Sequence, residues 1–466
     1  MTRSASCMLQ RPPSDVSAGV GVAGLCGLLA WIAFCRNYPE IADALALPGP
    51  RMWMAGPHAA VAALFFSAVP MILWSVLVDK VHRRPSTGMD WQAKRPWGAG
   101  LSVSLTKIFA LWVTWAIIAC FYCLARWYWS GQYLFAMEVL AAAAVFIVPL
   151  SIPYVLWVDR AMAEPRDGAW HFGRAVMGGA DADRSMILKH WRAWIIKAFF
   201  GAFMLSILPA GFAAVVNADL SGLAADPVAL SVLLFELLFV IDVQIGTVGY
   251  LLTLRPLDSH IRSGNPLLGG WIAALICYPP LVFAFMGANG MLAYEVETPG
   301  WAYWLEGNTA LLYVWGAVLV ALTALYAWAT VAFGIRFSNL TYRGVLTHGP
   351  YRLTRHPAYV SKNLFWWLTV LPFLVSSGSA VDAIRNTVFL ACVSGIYYWR
   401  ARTEEAHLLA EDPKYREYHA WAAQHAPITR FLGSITGLFG RWFPEKRAEG
   451  LAAHENPQSR MQYPAE

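Results

Sequence analysis

Charge is scarce in this chain. Only 14% of its 466 residues are charged, while 58% are hydrophobic and 14% aromatic; soluble domains carry charge at about a quarter of positions. That deficit argues against a soluble globular enzyme. The formal net charge of +6 would point to an acidic partner in a soluble protein, but in so apolar a chain the distribution of charge among loops matters more than its sum. No nucleic-acid partner is expected. Cysteine is sparse and odd in number, seven in all, with Cys26, Cys35, Cys120, Cys123, Cys277 and Cys392 inside apolar runs. That placement gives no secreted disulfide framework, and the pair Cys120 and Cys123 reads as packing. The eleven histidines show no H-x-x-H-H spacing, so a di-iron hydroxylase is excluded and no metal site is expected. There is no internal repeat of the kind many transporters carry. No G-x-G-x-x-G follows a strand, which removes the Rossmann plan of soluble methyltransferases.

What the chain has in quantity is long apolar runs, each able to cross a hydrocarbon core of roughly 30 Å. They lack the in/out alternation of a barrel strand, so they read as helices. Ten candidate spans fall at roughly 18–35, 58–78, 101–124, 133–158, 193–216, 228–254, 267–293, 309–334, 358–376 and 386–400. The first is not followed by a small-x-small cleavage site and reads as a retained helix. Lys80, Arg83, Arg84, Lys94 and Arg95 lie between spans two and three, and Arg160, Arg166, Arg174, Arg184, Lys189 and Arg192 between spans four and five. These loops read as cytoplasmic. Residues 217–227 and 294–308 carry only acidic charges and read as external. The expected fold is an all-α polytopic bundle of about ten spans with both termini cytoplasmic, in the bacterial inner membrane. Trp127, Tyr128, Trp129, Trp301, Tyr303 and Trp304 cluster at span ends, as rings at the headgroup boundary do.

Lys107, Glu138, Glu236, Asp242 and Gln244 fall inside apolar runs, where polar groups are functional candidates; packing or interface roles are the simpler expectation for them. The richest stretch follows span eight: Gly344, His348-Gly349-Pro350-Tyr351-Arg352, then Arg355-His356-Pro357-Ala358-Tyr359. Gly349-Pro350 signals a turn and Pro357 suits a first helical turn. A basic, aromatic loop is thereby set at a helix start. Past span ten come Arg400, Arg402, Glu404, Glu405 and His407, then Tyr415 and Tyr418.

The pattern G-P-Y-R-x-x-R-H-P-x-Y, a membrane hairpin, then R-x-x-E-E-x-x-L and Y-x-x-Y resembles the C-terminal core of isoprenylcysteine carboxyl methyltransferases and related phospholipid methyltransferases, over roughly residues 333–425. The resemblance implies an N-terminal region of about eight helices (1–332), a catalytic core (333–430) and a tail (431–466). It also implies a membrane enzyme that uses S-adenosylmethionine and acts on a lipid, a prenylated group or a small apolar thiol or acid drawn from the bilayer. His348, Gly349, Pro350, Tyr351, Arg355, His356, Pro357 and Tyr359 would line the cofactor pocket. Glu404 and Glu405 would meet the cationic sulfonium and ammonium, Arg400 and Arg402 would hold an anionic acceptor, and His407 or His356 would serve as a base where one is needed. Phe333-Gly334-Ile335 stands where phospholipid enzymes have a G-x-G. A sterol-reductase-like NADPH enzyme shares an arginine-histidine-proline-x-tyrosine hairpin, but Ala358 and Val360-Ser361-Lys362 depart from its pattern. A transporter is the non-enzymatic alternative.

Overall fold

The computed structural model describes residues 10–286 and 289–442, with the side chains of 435–442 left aside. Its helices are α1 (Ala18–Arg36), α2 (Tyr38–Ala44), α3 (Pro57–Leu73), α4 (Leu101–Leu124), α5 (Gln132–Ala161), α6 (Gly168–Val176), α7 (Arg184–Val216) and α8 (Pro227–Leu251). After α8 come a two-residue strand β1 (Ser263–Gly264), three short helices α9 (Leu268–Leu275), α10 (Leu281–Phe285) and α11 (Trp301–Trp304), and the long α12 (Thr309–Phe333). Strand β2 (Thr341–Tyr342) precedes α13 (Pro357–Val370), α14 (Ala380–Glu411), α15 (Pro413–His425) and α16 (Pro427–Trp442). The fold is an all-α bundle, and seven of its helices are long and apolar enough to cross a membrane: Ala18–Arg36, Pro57–Val78, Leu101–Leu124, Gln132–Ala161, Arg184–Val216, Pro227–Leu251 and Thr309–Arg336. The tail beyond residue 442 lies outside the described residues, as does the start of the chain.

Many boundaries are set by caps that satisfy otherwise orphaned amides. Asp226 accepts from the amides of Val228 and Ala229 with Pro227 in the first turn, and Asp412 does the same for Lys414 ahead of α15. Asp183 caps α7, which therefore begins nine residues before its apolar run.

Three expected spans differ from simple apolar helices. The 267–293 run is two short helices separated by Pro279-Pro280, because proline offers no amide and disfavours helix in the residue before it. Helix α13 has 14 residues, and α14 has 32 that run on past Arg400 to Glu411. The path of the chain is nevertheless fixed by contacts at the two ends of the bundle. At one end β1 pairs antiparallel with β2, Ser263 opposite Tyr342, so α8 and α12 finish together. At the other end the Tyr313 hydroxyl donates to the Ala224 carbonyl, so α8 and α12 also start together. Helices that run the same way need a return pass between them, and the broken 265–308 segment makes it. The α13–α14 hairpin reaches the same far end, where the Ser376 amide donates to the Glu297 carbonyl at 2.8 Å and Asn386 Nδ2 to the Val296 carbonyl at 2.7 Å.

The end that holds β1 and β2 is expected to face the cytoplasm, since it carries the basic loops. In a background with its native cysteines replaced, an impermeant maleimide added to intact cells should label Glu306→Cys and spare Ala180→Cys; both positions are exposed, at opposite ends of the bundle. Labelling of both, or of Ala180→Cys alone, would overturn this orientation.

The intramembrane polar residues have separate fates. Lys107 Nζ sits 2.6 Å from Asp159 and 3.0 Å from Asp167 in a buried ion cluster. Gln244 Nε2 donates to the Ala60 carbonyl at 3.1 Å. Asp242 accepts from the Thr330 hydroxyl, and Glu138 is exposed.

Candidate active-site cavity

A cavity lies where α12, α13 and α14 converge at the β1/β2 end. Tyr326, Thr330 and Phe333 from α12 form one wall; the 336–346 loop forms the roof, and Arg355, His356, Pro357, Tyr359 and Lys362 line it from the start of α13. Tyr397, Arg400, Glu404 and His407 of α14 form the opposite wall, with Tyr278, Tyr351, Tyr415 and Tyr418 completing it. Aromatic rings and cations make up most of this lining, and Glu404 is its carboxylate.

Two buried cations hold the roof. Arg343 Nε donates to the Ser259 carbonyl at 2.7 Å, and its other nitrogens reach the carbonyls of Gly249 at 2.9 Å, Phe337 at 2.8 Å and Ile335 at 2.8 Å. It thereby closes backbone groups at the end of α8 and after α12 that would otherwise be orphaned. Arg336 Nη2 donates to Asp258 at 2.6 Å. A strap from the N-terminus is laid over the same loop: the Asp15 amide donates to the Val345 carbonyl at 2.9 Å, and the Val345 amide to the Asp15 carboxylate at 2.7 Å. Burial alone would raise the Asp15 carboxyl, but the Lys414 ammonium and the Val345 amide hold it below its ordinary value.

The adjacent acids of α14 do different work. Neighbours on a helix project about 100° apart. Glu404 turns to the cavity, accepts from the Tyr359 hydroxyl and lies 3.3 Å from Arg400 Nε. Glu405 turns the other way and is buried, 3% exposed. Around it stand Arg402 Nη1 at 2.7 Å, His356 Nε2 at 3.0 Å, Arg355 Nε at 3.1 Å and His419 Nε2 at 3.8 Å. Burial would raise the Glu405 carboxyl, yet the hydrogen bond from His356 and the nearby charges of His356 and Arg355 overcome it and hold the group far below the usual carboxylate range.

The residues singled out in the sequence thus fall into two sets. Tyr351, Arg355, His356, Pro357, Tyr359, Arg400, Glu404 and His407 line the cavity. His348, Gly349, Pro350, Arg402 and Glu405 stand outside its lining. His348 Nδ1 pairs with the Ser14 hydroxyl at 2.9 Å, and burial with the Arg11 charge lowers its pKa. Gly349 and Pro350 form the turn that delivers Tyr351, whose carbonyl accepts from the Tyr418 hydroxyl at 2.8 Å. The Arg402 side chain is mostly exposed. His407 Nε2 pairs with Ser263 at 2.9 Å; burial and then the Arg192 charge push it down to about 4, so it is neutral at pH 7.

Sequence reasoning missed several members. Asn339 accepts from Arg400 Nη2 at 2.7 Å and donates to Tyr278 at 3.1 Å. Lys362 had drawn notice only as a departure from another pattern. Its ammonium lies 5.0 Å from the Trp366 ring centroid, 5.4 Å from Tyr397 and 5.8 Å from Tyr326. Tyr326 and Thr330 on the wall are backed by Asp242, so a helix of the N-terminal region supports the cavity directly. A run of polar residues in 336–343 directly after an apolar helix was the available signal for the roof.

An all-helical bundle with seven membrane-length apolar helices defines an integral membrane protein that associates with a lipid bilayer. Residues 283–422 match a family described as a protein of unknown function (DUF1295). That match takes in α12, α13, α14 and most of α15, with most of the cavity-lining side chains, over less than a third of the chain. No curated protein and no solved structure matches the chain.

Proposed function

We propose that the protein is a membrane methyltransferase that uses S-adenosylmethionine and acts on a lipid-like or small apolar acceptor. The observation that carries this reading is Glu404, among the described residues the one carboxylate on a cavity lining that is rich in tyrosines and cations. A carboxylate amid aromatic faces suits a ligand that bears both an ammonium and a sulfonium group. S-adenosylmethionine would supply an electrophilic methyl group at this place. Glu404, with Tyr359 as its donor, would hold the cationic end, and the rings of Tyr351, Tyr415 and Tyr418 offer apolar faces for the rest. His356 and Arg355, anchored on Glu405, fix the start of α13 and so the position of Tyr359. Methyl transfer needs alignment and charge balance more than a covalent intermediate, and rigidly braced walls provide alignment.

An NADPH-dependent reductase would use cations to hold phosphate groups. Five cationic side chains line the cavity, but four are already engaged: Arg336 with Asp258, Arg343 with carbonyls, Arg355 with Glu405, and Arg400 with Glu404. Few free cationic donors are left for a polyphosphate. Parallel calorimetric titrations of the full chain in lipid nanodiscs test the choice. S-adenosylmethionine should bind, and Glu404→Gln should weaken it by about 1.5–3 kcal/mol, the scale of a hydrogen bond to a charged group. Binding of NADPH without S-adenosylmethionine would overturn the proposal.

A further inference from the structure

Lys362 is the one cavity-lining Lys or Arg that has, among the described residues, neither a carboxylate within 4.0 Å nor a hydrogen-bond acceptor. Its surroundings are three aromatic rings, from Tyr326, Trp366 and Tyr397. Cation–π attraction offsets part of the cost of keeping an ammonium there, but its three N–H donors remain unused. A partly buried ammonium in this state, lining the cavity with its donors unused, is an anion site awaiting its anion.

The kind of anion follows from what surrounds the charge. An arginine fork matches the two oxygens of a carboxylate. The nearest fork, Arg400, is spent on Glu404 and Asn339. Lysine is a point charge and pairs well with a single-atom anion, and aromatic ring edges make favourable contacts with sulfur. Other charged or titratable groups face Lys362 too: Asp242 from α8, Cys277 from the segment after α9, and Arg400 from α14.

We infer that Lys362 binds the acceptor, and that the acceptor is a lipophilic thiol held as its thiolate against the ammonium, on the side away from the ring faces. This rests on the proposed methyltransferase reading, which it deepens by naming the acceptor class. In the step assigned to this chain the S–H bond breaks, the proton passes to water at the cavity mouth, and the electron pair stays on sulfur beside Lys362. The apolar tail lies along the aromatic lining. A thiolate so held needs no general base from the protein, which accords with a neutral His407 tied to Ser263.

Decane-1-thiol is the probe, and the first readout needs no cofactor. Added to the full-length protein in nanodiscs, it should give a thiolate ultraviolet difference signal with a midpoint at a pH about 2 below that of the free thiol, the effect of an adjacent opposite charge. The signal should persist in Cys277→Ser, which removes the nearby protein thiol. It should disappear in Lys362→Met, which keeps the apolar stem, and return in part in Lys362→Arg, which restores the charge; melting curves check that all three fold. S-adenosylmethionine affinity, measured separately, should be the same in Lys362→Met as in the parent. Loss of that affinity would make Lys362 a ligand of the cofactor carboxylate and overturn the inference. So would an unshifted thiol titration, or methylation of decanoate or decylamine in preference to decane-1-thiol. Failure of the parent protein to bind S-adenosylmethionine would instead strike the methyltransferase reading and leave the thiol titration to stand or fall by itself.

Discussion

Replacing Glu405 by glutamine is expected to cost the folded protein about 3–5 kcal/mol, the scale for breaking a buried ion network by removing one member. Arg355, His356, Arg402 and His419 all converge on this carboxylate, and Arg355 and His356 stand at the entry to α13. Without the charge, Arg355 is left half-buried with no anion. The pH dependence has a definite sign. The folded-state pKa of Glu405 is held well below its ordinary value, so its contribution is fully present above the unfolded pKa of about 4.3 and is lost as pH falls through the folded value. Thermal unfolding followed against pH should therefore show the parent losing stability on the acid side, whereas Glu405→Gln should start lower at pH 7 and change less. Equal midpoints for the two proteins at pH 7 would remove Glu405 from the frame of the site. Glu404→Gln should cost less than Glu405→Gln, because it takes the carboxylate from one buried cation, Arg400, and not from the several groups that converge on Glu405.

The contrast between these neighbours marks the limit of what the sequence could tell. Two adjacent acids in a motif look equivalent, and both were expected to meet the cofactor; their roles divide because a helix turns them to different partners. Hydropathy located the long helices well, since lipid imposes both length and composition, and Asp226-Pro227 and Asp412-Pro413 announce two helix starts. It misread residues 267–293, where apolar composition outweighed the break at Pro279-Pro280. It also ended α14 at Arg400, where the apolar residues stop, although polar helix formers carry the helix on to Glu411. The partners of Arg336, Arg343 and Asp242 lie 78, 84 and 88 residues away. No local pattern could pair them. Lys362 was visible as a lysine in an apolar stretch, but its distinction is the lack of a counter-ion, which only the assembled cavity reveals.

Asp258→Asn is expected to destabilise the protein by a similar 3–5 kcal/mol and to loosen the cavity roof. Asp258 is 1% exposed and Arg336 3% exposed, and their oxygen and nitrogen meet at 2.6 Å. The carboxylate also accepts from Ser86 at 2.7 Å and lies 3.3 Å from Arg262 and 4.0 Å from Arg84. It ties the segment after α8 to the turn after α12 and to the loop that follows α3. Arg336 spends a second nitrogen on the Arg343 carbonyl at 3.0 Å, so a displaced Arg336 disturbs the roof directly. An asparagine keeps hydrogen bonding but leaves that guanidinium buried without an anion. Arg336→Met should be costly for the converse reason, stranding a carboxylate that Arg262 and Arg84 compensate only from a distance. The double variant should cost less than the two single losses added together, because it strands neither charge. Chemical unfolding of all four proteins in the same detergent gives the coupling energy, and S-adenosylmethionine titration of whichever variants remain folded should show affinity falling when the pair is broken. Additive stability losses would mean that the two groups act independently, and that the roof is held by Arg343 and its carbonyls alone.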